Sequence, residues 1–369
     1  MQVPAQTQGV LERALDGKAP ARDEMVHLLR YPEHSLESGI IRAVANRITR
    51  ERSRNLAVVS GQIGYAASPC DGDCVFCAFS AAHFHLPRVE MSTEEVVEHA
   101  TTLTSNGVLS GVSLMSMHQF DFRRFLDLLA AVRAAVPAYV RISANVGDIT
   151  AEQAKELKAA GASGAYHQIR LREGIDTRLD REERIRTVRN IQEAGLRWGF
   201  CCEPIGPEHT PEELADHILF GMSLRPSYCA AMRRVFLPNS PIAARGQITE
   251  LRLAQIVAVS ALAALADPAI IFIGAHEPNL ICLTSGANSV YAEIGANPRD
   301  ESIETSQNLG LSVDDCTRMI YEAGFDGALQ GDGKTIPVSS VLGIKDARGP
   351  HTTTTTTTTN FRTPLFDAN

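Results

Sequence analysis

Cys70, Cys74 and Cys77 stand together in Ser68-Pro69-Cys70-Asp71-Gly72-Asp73-Cys74-Val75-Phe76-Cys77, a C-x3-C-x2-C spacing. Three thiolates on one short loop can converge on a single metal centre. A [4Fe-4S] cluster has four irons, each of which takes one protein ligand. Three cysteines therefore leave one iron open, able to hold a small molecule and pass it an electron. Gly72 lets backbone pack closely around an inorganic cluster. A structural zinc site is the plainer alternative. It fits poorly, because zinc normally takes four protein ligands, usually in CxxC-type pairs.

Other chemically capable residues follow apolar, β-branched runs. They are His118, Asn145, His167, Arg170, Glu203, Arg234, His276 and Asn288. Glu203 and His276 are the foremost catalytic candidates: a carboxylate and an imidazole can bind a polar substrate or move protons. His83 and His85 follow the cysteine loop at i, i+2 spacing, which suits loop shaping better than metal binding. Cys202, Cys229 and Cys282 read as small buried core residues.

These residues need a scaffold to bring them together. Residues 1–55 read as helical, with a long amphipathic stretch from about Ser35 to Arg52. Strand-like and helix-like segments then alternate. Leu56–Ile63 is a strand leading into the cysteine loop, and Ser92-Thr93-Glu94-Glu95 has the capping pattern of a helix start. Later strands are expected at Val108–Met115, Tyr139–Ser143, Gly164–Ile169, Arg197–Glu203, Tyr228–Leu237, Ile270–Ile273 and Ser289–Ala292. Alternation of this kind implies parallel strands with helical crossovers. About eight such units match an α/β fold of the (β/α)8 TIM-barrel type, whose active residues lie at the C-terminal ends of strands. An open doubly wound sheet is the alternative. Domains are expected at 1–55 (helical extension), 56–330 (barrel) and 331–369 (a low-complexity, disordered tail holding the threonine run Thr352–Thr359).

The chain has 369 residues, 44% hydrophobic and 21% charged, an ordinary globular composition. A net charge of −8 argues against a general nucleic-acid binder. No apolar run is long enough to span a membrane. The N-terminus lacks a charged-then-apolar signal pattern, so a cytoplasmic location with reduced cysteines is expected.

With Phe76 just before its last cysteine, the triad resembles that of the radical S-adenosylmethionine (SAM) superfamily. Gly195–Glu208 resembles the fifth-strand region of biotin synthase, and Leu283–Tyr291 its late segment AGANS. Together the matches span roughly residues 40–325 and place the chain beside the biotin synthase-like group. That group includes biotin synthase, the [FeFe]-hydrogenase maturase, methylornithine synthase and proteins tied to the [Fe]-hydrogenase cofactor. The resemblance implies that Cys70, Cys74 and Cys77 bind a [4Fe-4S] cluster and that SAM chelates the open iron. It implies that Arg184 holds the SAM carboxylate, that Glu173 binds the ribose hydroxyls, and that Ile205 and Gly206 lie against adenine. A flavodoxin or ferredoxin would supply the electron. The glycine-rich element usual after the second strand is replaced by Ser113-Leu114-Met115-Ser116-Met117-His118.

One departure bears on the reaction. Biotin synthase holds a second, sulfur-donating cluster with three cysteines and an arginine inside the barrel. Here the corresponding segments are Leu114-Met115-Ser116, Ser143-Ala144-Asn145 and Ile270-Ile271-Phe272, and only Cys201 matches. The expected activity is hydrogen abstraction from a small polar substrate, leading to rearrangement, fragmentation or cofactor assembly. The run Glu203–Thr210 looks most like the [Fe]-hydrogenase-associated branch. Sulfur insertion with an unusual auxiliary cluster remains an alternative, as does a non-enzymatic iron-sulfur scaffold or electron carrier.

Overall fold

The structure is a computed structural model, and it describes residues 3–67 and 69–345. Eight parallel strands form the barrel: β1 (Leu56–Gly64), β2 (Leu109–Met115), β3 (Arg141–Asn145), β4 (Gly164–Tyr166), β5 (Arg197–Ile205), β6 (Tyr228–Arg233), β7 (Ile273–Ala275) and β8 (Ser289–Gly295). Neighbours in sequence are neighbours in the sheet, and β8 pairs with β1 from Val58↔Ser289 to Gly64↔Gly295, which closes the ring. The open-sheet alternative is thereby excluded.

Helices α4 (Thr93–Thr104), α5 (Phe122–Ala135), α6 (Ala151–Ala159), α7 (Arg181–Glu193), α8 (Pro211–Ser223) and α9 (Glu250–Ala264) form the outer ring, followed by α10 (Leu280–Leu283) and α11 (Val313–Glu322). Their starts are set by side chains that satisfy free amides. Ser92, Asp121, Thr150, Asp180, Thr210 and Thr249 each accept from a backbone N–H of the first turn. α9 is buried along nearly its whole length.

Ahead of the barrel, residues 5–53 form α1 (Ala5–Leu15), α2 (Arg22–Leu29) and α3 (Leu36–Ser53). α2 and α3 dock onto α8 and α9. Gln255 donates to the carbonyls of Leu28 and Tyr31 at 3.1 and 2.9 Å, and Arg252 to that of Leu29 at 2.7 Å. These bonds satisfy carbonyls that the end of α2 leaves free. Apolar residues from Val10 to Val338 belong to one continuous core.

Two features sit at the ends of the barrel. At the C-terminal end, Ala66–Ala67 pairs antiparallel with Val89–Glu90, clasping the two ends of the cysteine loop. At the N-terminal end, β9 (Gly327–Leu329) pairs with the start of β1, and β10 (Thr335–Pro337) pairs back on β9. A short helix, α12 (Val338–Val341), follows, with Val338 buried. The expected disordered tail beginning at 331 is therefore corrected for residues 331–345: β10 has a strand partner and Val338 an apolar site. The threonine run lies outside the described residues.

The strand expected at Ile270–Ile273 begins at its last residue, with β7 covering Ile273–Ala275. The reason is Asn288. Its side-chain oxygen accepts from Ile273 N at 2.9 Å and its amide donates to Ile271 O at 3.0 Å, taking the place of ladder bonds. Asn288 is thus a buried structural residue and not part of the barrel mouth.

Candidate radical SAM site

The cysteine loop follows β1 at the C-terminal end of the barrel. Its turns are fixed by backbone bonds: Cys70 N to Phe79 O at 2.9 Å, Cys77 N to Cys74 O at 3.2 Å and Ser80 N to Cys77 O at 3.1 Å. Cys70 and Cys74 are buried and Cys77 is half-buried; all three are free thiols. The Gly72 amide donates to Cys70 Sγ at 3.4 Å. A Cβ at Gly72 would lie 3.4 Å from Cys70 Sγ and 3.8 Å from Cys74 Sγ, in van der Waals contact with both sulfurs. Burial, then the neighbouring Cys74, pushes the Cys77 thiol up to about 12. Burial raises the Cys74 thiol as well, and buried thiols of this kind need a cation to hold them as thiolates. This donor set fits an iron cluster.

The loop 173–178 backs the cysteines. Cys74 Sγ lies 3.3 Å from Thr177 Oγ1, which donates to Asp73 Oδ1 at 3.1 Å. Val75 N donates to Asp176 O at 3.1 Å. His83 Nε2 lies 3.0 Å from the Asp73 carbonyl, which supports its loop-shaping reading.

Arg184 occupies the first turn of α7, 4% exposed, and lines the central cavity. Its Nε donates to Gln168 O at 2.8 Å and lies 3.3 Å from Glu173 Oε1; Nη1 is 3.7 Å from Asp148 Oδ2. The Glu173 side chain is wholly buried beside Arg184, and its Oε2 accepts from Arg170 N. Asp148 also meets His118 Nε2 at 3.1 Å and His167 Nε2 at 3.1 Å. His118 reaches Asp71, beside Cys70, through Nδ1 at 3.2 Å. The hydrogen bond with Asp148 raises the His118 pKa against the effect of burial. Asp148 thus couples the arginine to the cysteine loop.

A second cluster lies inside the barrel. The Tyr166 hydroxyl donates to Glu203 Oε2 and lies 3.0 Å from His276 Nδ1. Because the phenol proton goes to Glu203, the bond to His276 is donated by Nδ1–H. That leaves His276 Nε2 as a bare lone pair, buried and without a hydrogen-bond partner. A Cβ at Gly274 would lie 3.6 Å from it. Burial lowers the His276 pKa to about 4. Arg170 Nε is 3.4 Å from Glu203 Oε1. Cys201, Glu203 and His276 bring ligand-type atoms within 4.8 Å of one another.

The cavity is about 310 Å³ and is lined by the three cysteines, Arg184, Glu203 and His276, with His118, Asn145, Arg170 and Arg234. Glu173 is not among its lining residues. Ile205 is buried, and a Cβ at Gly206 would lie 2.5 Å from Arg234 Nη1; Pro204, rather than either, lines the cavity. His167 is packed against Asp148 outside the lining. Sequence reasoning missed Asp148, Tyr166 and Thr177. Tyr166 closes the Gly164–Tyr166 strand, a position that itself marks barrel-mouth residues.

Comparison with known proteins agrees with this geometry. A family model described as the Radical SAM superfamily matches residues 68–221. The biotin synthase of Trichlorobacter lovleyi is 26% identical over 328 residues, covering 81% of this chain and 94% of that protein. The biotin synthase of Nitrosopumilus maritimus is 26% identical over 323 residues, covering 81% and 96%. Among solved structures, methylornithine synthase superposes with a TM-score of 0.71 at 16% identity, covering 92% of this chain and 97% of that one. The FeFe-hydrogenase maturase HydG from Carboxydothermus hydrogenoformans gives 0.71 at 16% identity, covering 88% and 80%. With the cysteine triad at the mouth of a closed barrel, residues 68–221 match the radical SAM superfamily, whose enzymes use a [4Fe-4S] cluster and SAM, and the chain as a whole is similar to biotin synthases.

Proposed function

We propose that this radical SAM enzyme abstracts hydrogen from a small polar substrate held in the barrel, and that the outcome is rearrangement, fragmentation or cofactor assembly rather than sulfur insertion. Bound together, the cluster and SAM supply one electron and a 5'-deoxyadenosyl radical. Cys70, Cys74 and Cys77 would hold three irons. Arg184, pinned by Gln168 and Glu173, would offer its outer nitrogens to the SAM carboxylate, a task suited to a planar guanidinium. Glu173 acts here by holding Arg184. His276 Nε2 would accept a hydrogen bond or proton from the substrate, with Glu203 and Tyr166 fixing its tautomer. The closed barrel keeps water from a reactive carbon radical. A flavodoxin or ferredoxin is the proposed electron donor.

The observation that carries the choice of reaction is the interior of the barrel. Ser143, Asn145 and Phe272 line the cavity where a second cluster would need ligands. Cys202 and Cys229 belong to the apolar core, which leaves Cys201 grouped with Glu203 and His276.

The test is anaerobic purification and cluster reconstitution, followed by reduction with dithionite in the presence of SAM. About four irons per chain, and 5'-deoxyadenosine that disappears in Cys74→Ala, are expected. About six to eight irons would instead favour sulfur insertion at an auxiliary cluster. A loaded cluster without SAM cleavage would favour a scaffold role.

A further inference from the structure

Three donor atoms of different kinds converge in the wall of the barrel. The Cys201 sulfur, a Glu203 carboxylate oxygen and a His276 ring nitrogen all lie within 4.8 Å of one another. Cys201 and Glu203 stand two apart on β5, on one face of the strand, and His276 directly follows β7. Zinc ligands sit about 2.0–2.3 Å from the ion, which in a tetrahedron puts them about 3.4 Å from each other. Closure by at most about 1.4 Å therefore brings the three onto one centre.

Their outer partners are those that metal ligands need. Tyr166 donates to Glu203 Oε2 and lies 3.0 Å from His276 Nδ1, so one hydroxyl orients both side chains. With Nδ1–H committed to Tyr166, Nε2 is the nitrogen left to bind an ion. It is buried without a hydrogen-bond partner. It also leans toward Gly274, whose Cβ would lie 3.6 Å away. Gly274, Ala230 and Cys201 form one row across the strands, and the Cys201 thiol is the only functional side-chain group in that row. Arg170 approaches Glu203 Oε1 at 3.4 Å, yet each carboxylate oxygen keeps a further lone pair. A second grouping, Asp176, Glu208 and His209, lacks this opening, because Arg234 and Arg245 already neutralise its carboxylates.

We propose that Cys201, Glu203 and His276 hold one zinc ion whose fourth position faces the barrel chamber. A second iron-sulfur cluster would need several thiolates. One sulfur, one oxygen and one nitrogen instead make a mixed set that zinc accepts with a position left open. Glu203 and His276 line the cavity while Cys201 is sealed in the wall, which turns the open position toward the substrate. Binding releases the Cys201 proton to solvent. The inference deepens the proposed function and rests on it for the chamber's occupant. The His276 lone pair would act on the substrate through the ion, and the substrate would carry a hydroxyl, thiol or carboxylate able to ligate zinc.

The test uses the reconstituted holoenzyme, so that iron already fills the site of Cys70, Cys74 and Cys77. Zinc is added, the excess is removed by gel filtration, and zinc and iron are counted per chain beside zinc-edge X-ray absorption. About one zinc per chain is expected, with one sulfur at about 2.3 Å and nitrogen or oxygen as the other ligands. Cys201→Ala and His276→Ala should each lower zinc retention at least tenfold at unchanged iron content and SAM affinity, which report folding. Cys202→Ala, in the apolar core, should keep its zinc. Tyr166→Phe should bind zinc about ten- to a hundredfold more weakly, because an outer partner is lost. Absence of bound zinc overturns the site. So does zinc surrounded by three sulfurs, which would have entered the cluster loop, zinc with no sulfur, or zinc retained in Cys201→Ala. Any of these leaves SAM cleavage in place, whereas failure of the proposed function would appear as absent SAM cleavage whatever the zinc content.

Discussion

Arg184 has its Nε committed to the Gln168 carbonyl and the buried Glu173, which leaves its outer nitrogens, one of them 3.7 Å from Asp148, to reach the cavity. Replacing it with glutamine should weaken SAM binding at least tenfold, since a charge-assisted bidentate contact is lost. Lysine should restore only part of this, because it cannot serve Gln168 and present two parallel donors. Unchanged SAM affinity in calorimetry would remove Arg184 from the site. Tyr166 invites a subtler test. In Tyr166→Phe the ring keeps its volume, but Glu203 loses its donor and His276 Nδ1–H its acceptor. A stability loss of about 1–3 kcal/mol is expected from the stranded groups, read as a lower denaturation midpoint. A neutral result would mean that water replaces the hydroxyl. The three cysteines were legible because their spacing is local. Tyr166 and Asp148 act through partners far away in sequence, Tyr166 meeting His276 across 110 positions, and no spacing rule reveals that.

At the scale of elements, the loop 173–178 and the cysteine loop depend on each other. Thr177 is the joint, touching Cys74 Sγ and donating to Asp73. Thr177→Val keeps the shape but removes the hydroxyl, leaving Asp73 with the Arg178 amide at 2.8 Å as its remaining backbone donor there. The loop should loosen by about 1–2 kcal/mol, and iron should leave severalfold faster under a chelator. Iron retention equal to wild type would show that the cysteine loop holds itself. The start of α4 was readable in the sequence because a cap is a contact over three residues: Ser92 stands where the pattern puts it. The β7 boundary was not, because Asn288 replaces the ladder from 15 residues away. The β9–β10 hairpin was hidden for a similar reason: its strands are short, and β9 is anchored to Leu56 and Ala57 at the other end of the chain.

For the whole molecule, the barrel followed from alternation of period-2 and period-3.6 segments, and its closure adds what alternation cannot give: an interior holding titratable groups. Three histidines are kept neutral by burial. The pKa of His276 falls to about 4, that of His167 to about 4 and that of His217 to about 3. In the unfolded chain each returns to its ordinary value near 6.5. As pH falls through that value the unfolded chain takes up protons that the folded one refuses, so stability rises with pH across this window. The contribution is complete above about pH 6.5 and is lost progressively toward pH 4, by up to roughly 1.4 kcal/mol per pH unit for each histidine. His118, raised by Asp148, works in the opposite sense and softens the decline. His217 isolates the effect because it lies away from the cavity, packed between Phe200 and Phe220 with Nε2 shut off from water and unpartnered. In the metal-free protein, so that cluster loss does not intervene, the denaturation midpoint should drop between pH 7 and pH 5. His217→Leu should drop less over the same interval. Parallel pH profiles for the two proteins would mean that the His217 site opens to water well before the barrel unfolds, and that the acid sensitivity belongs to the histidines of the cavity instead.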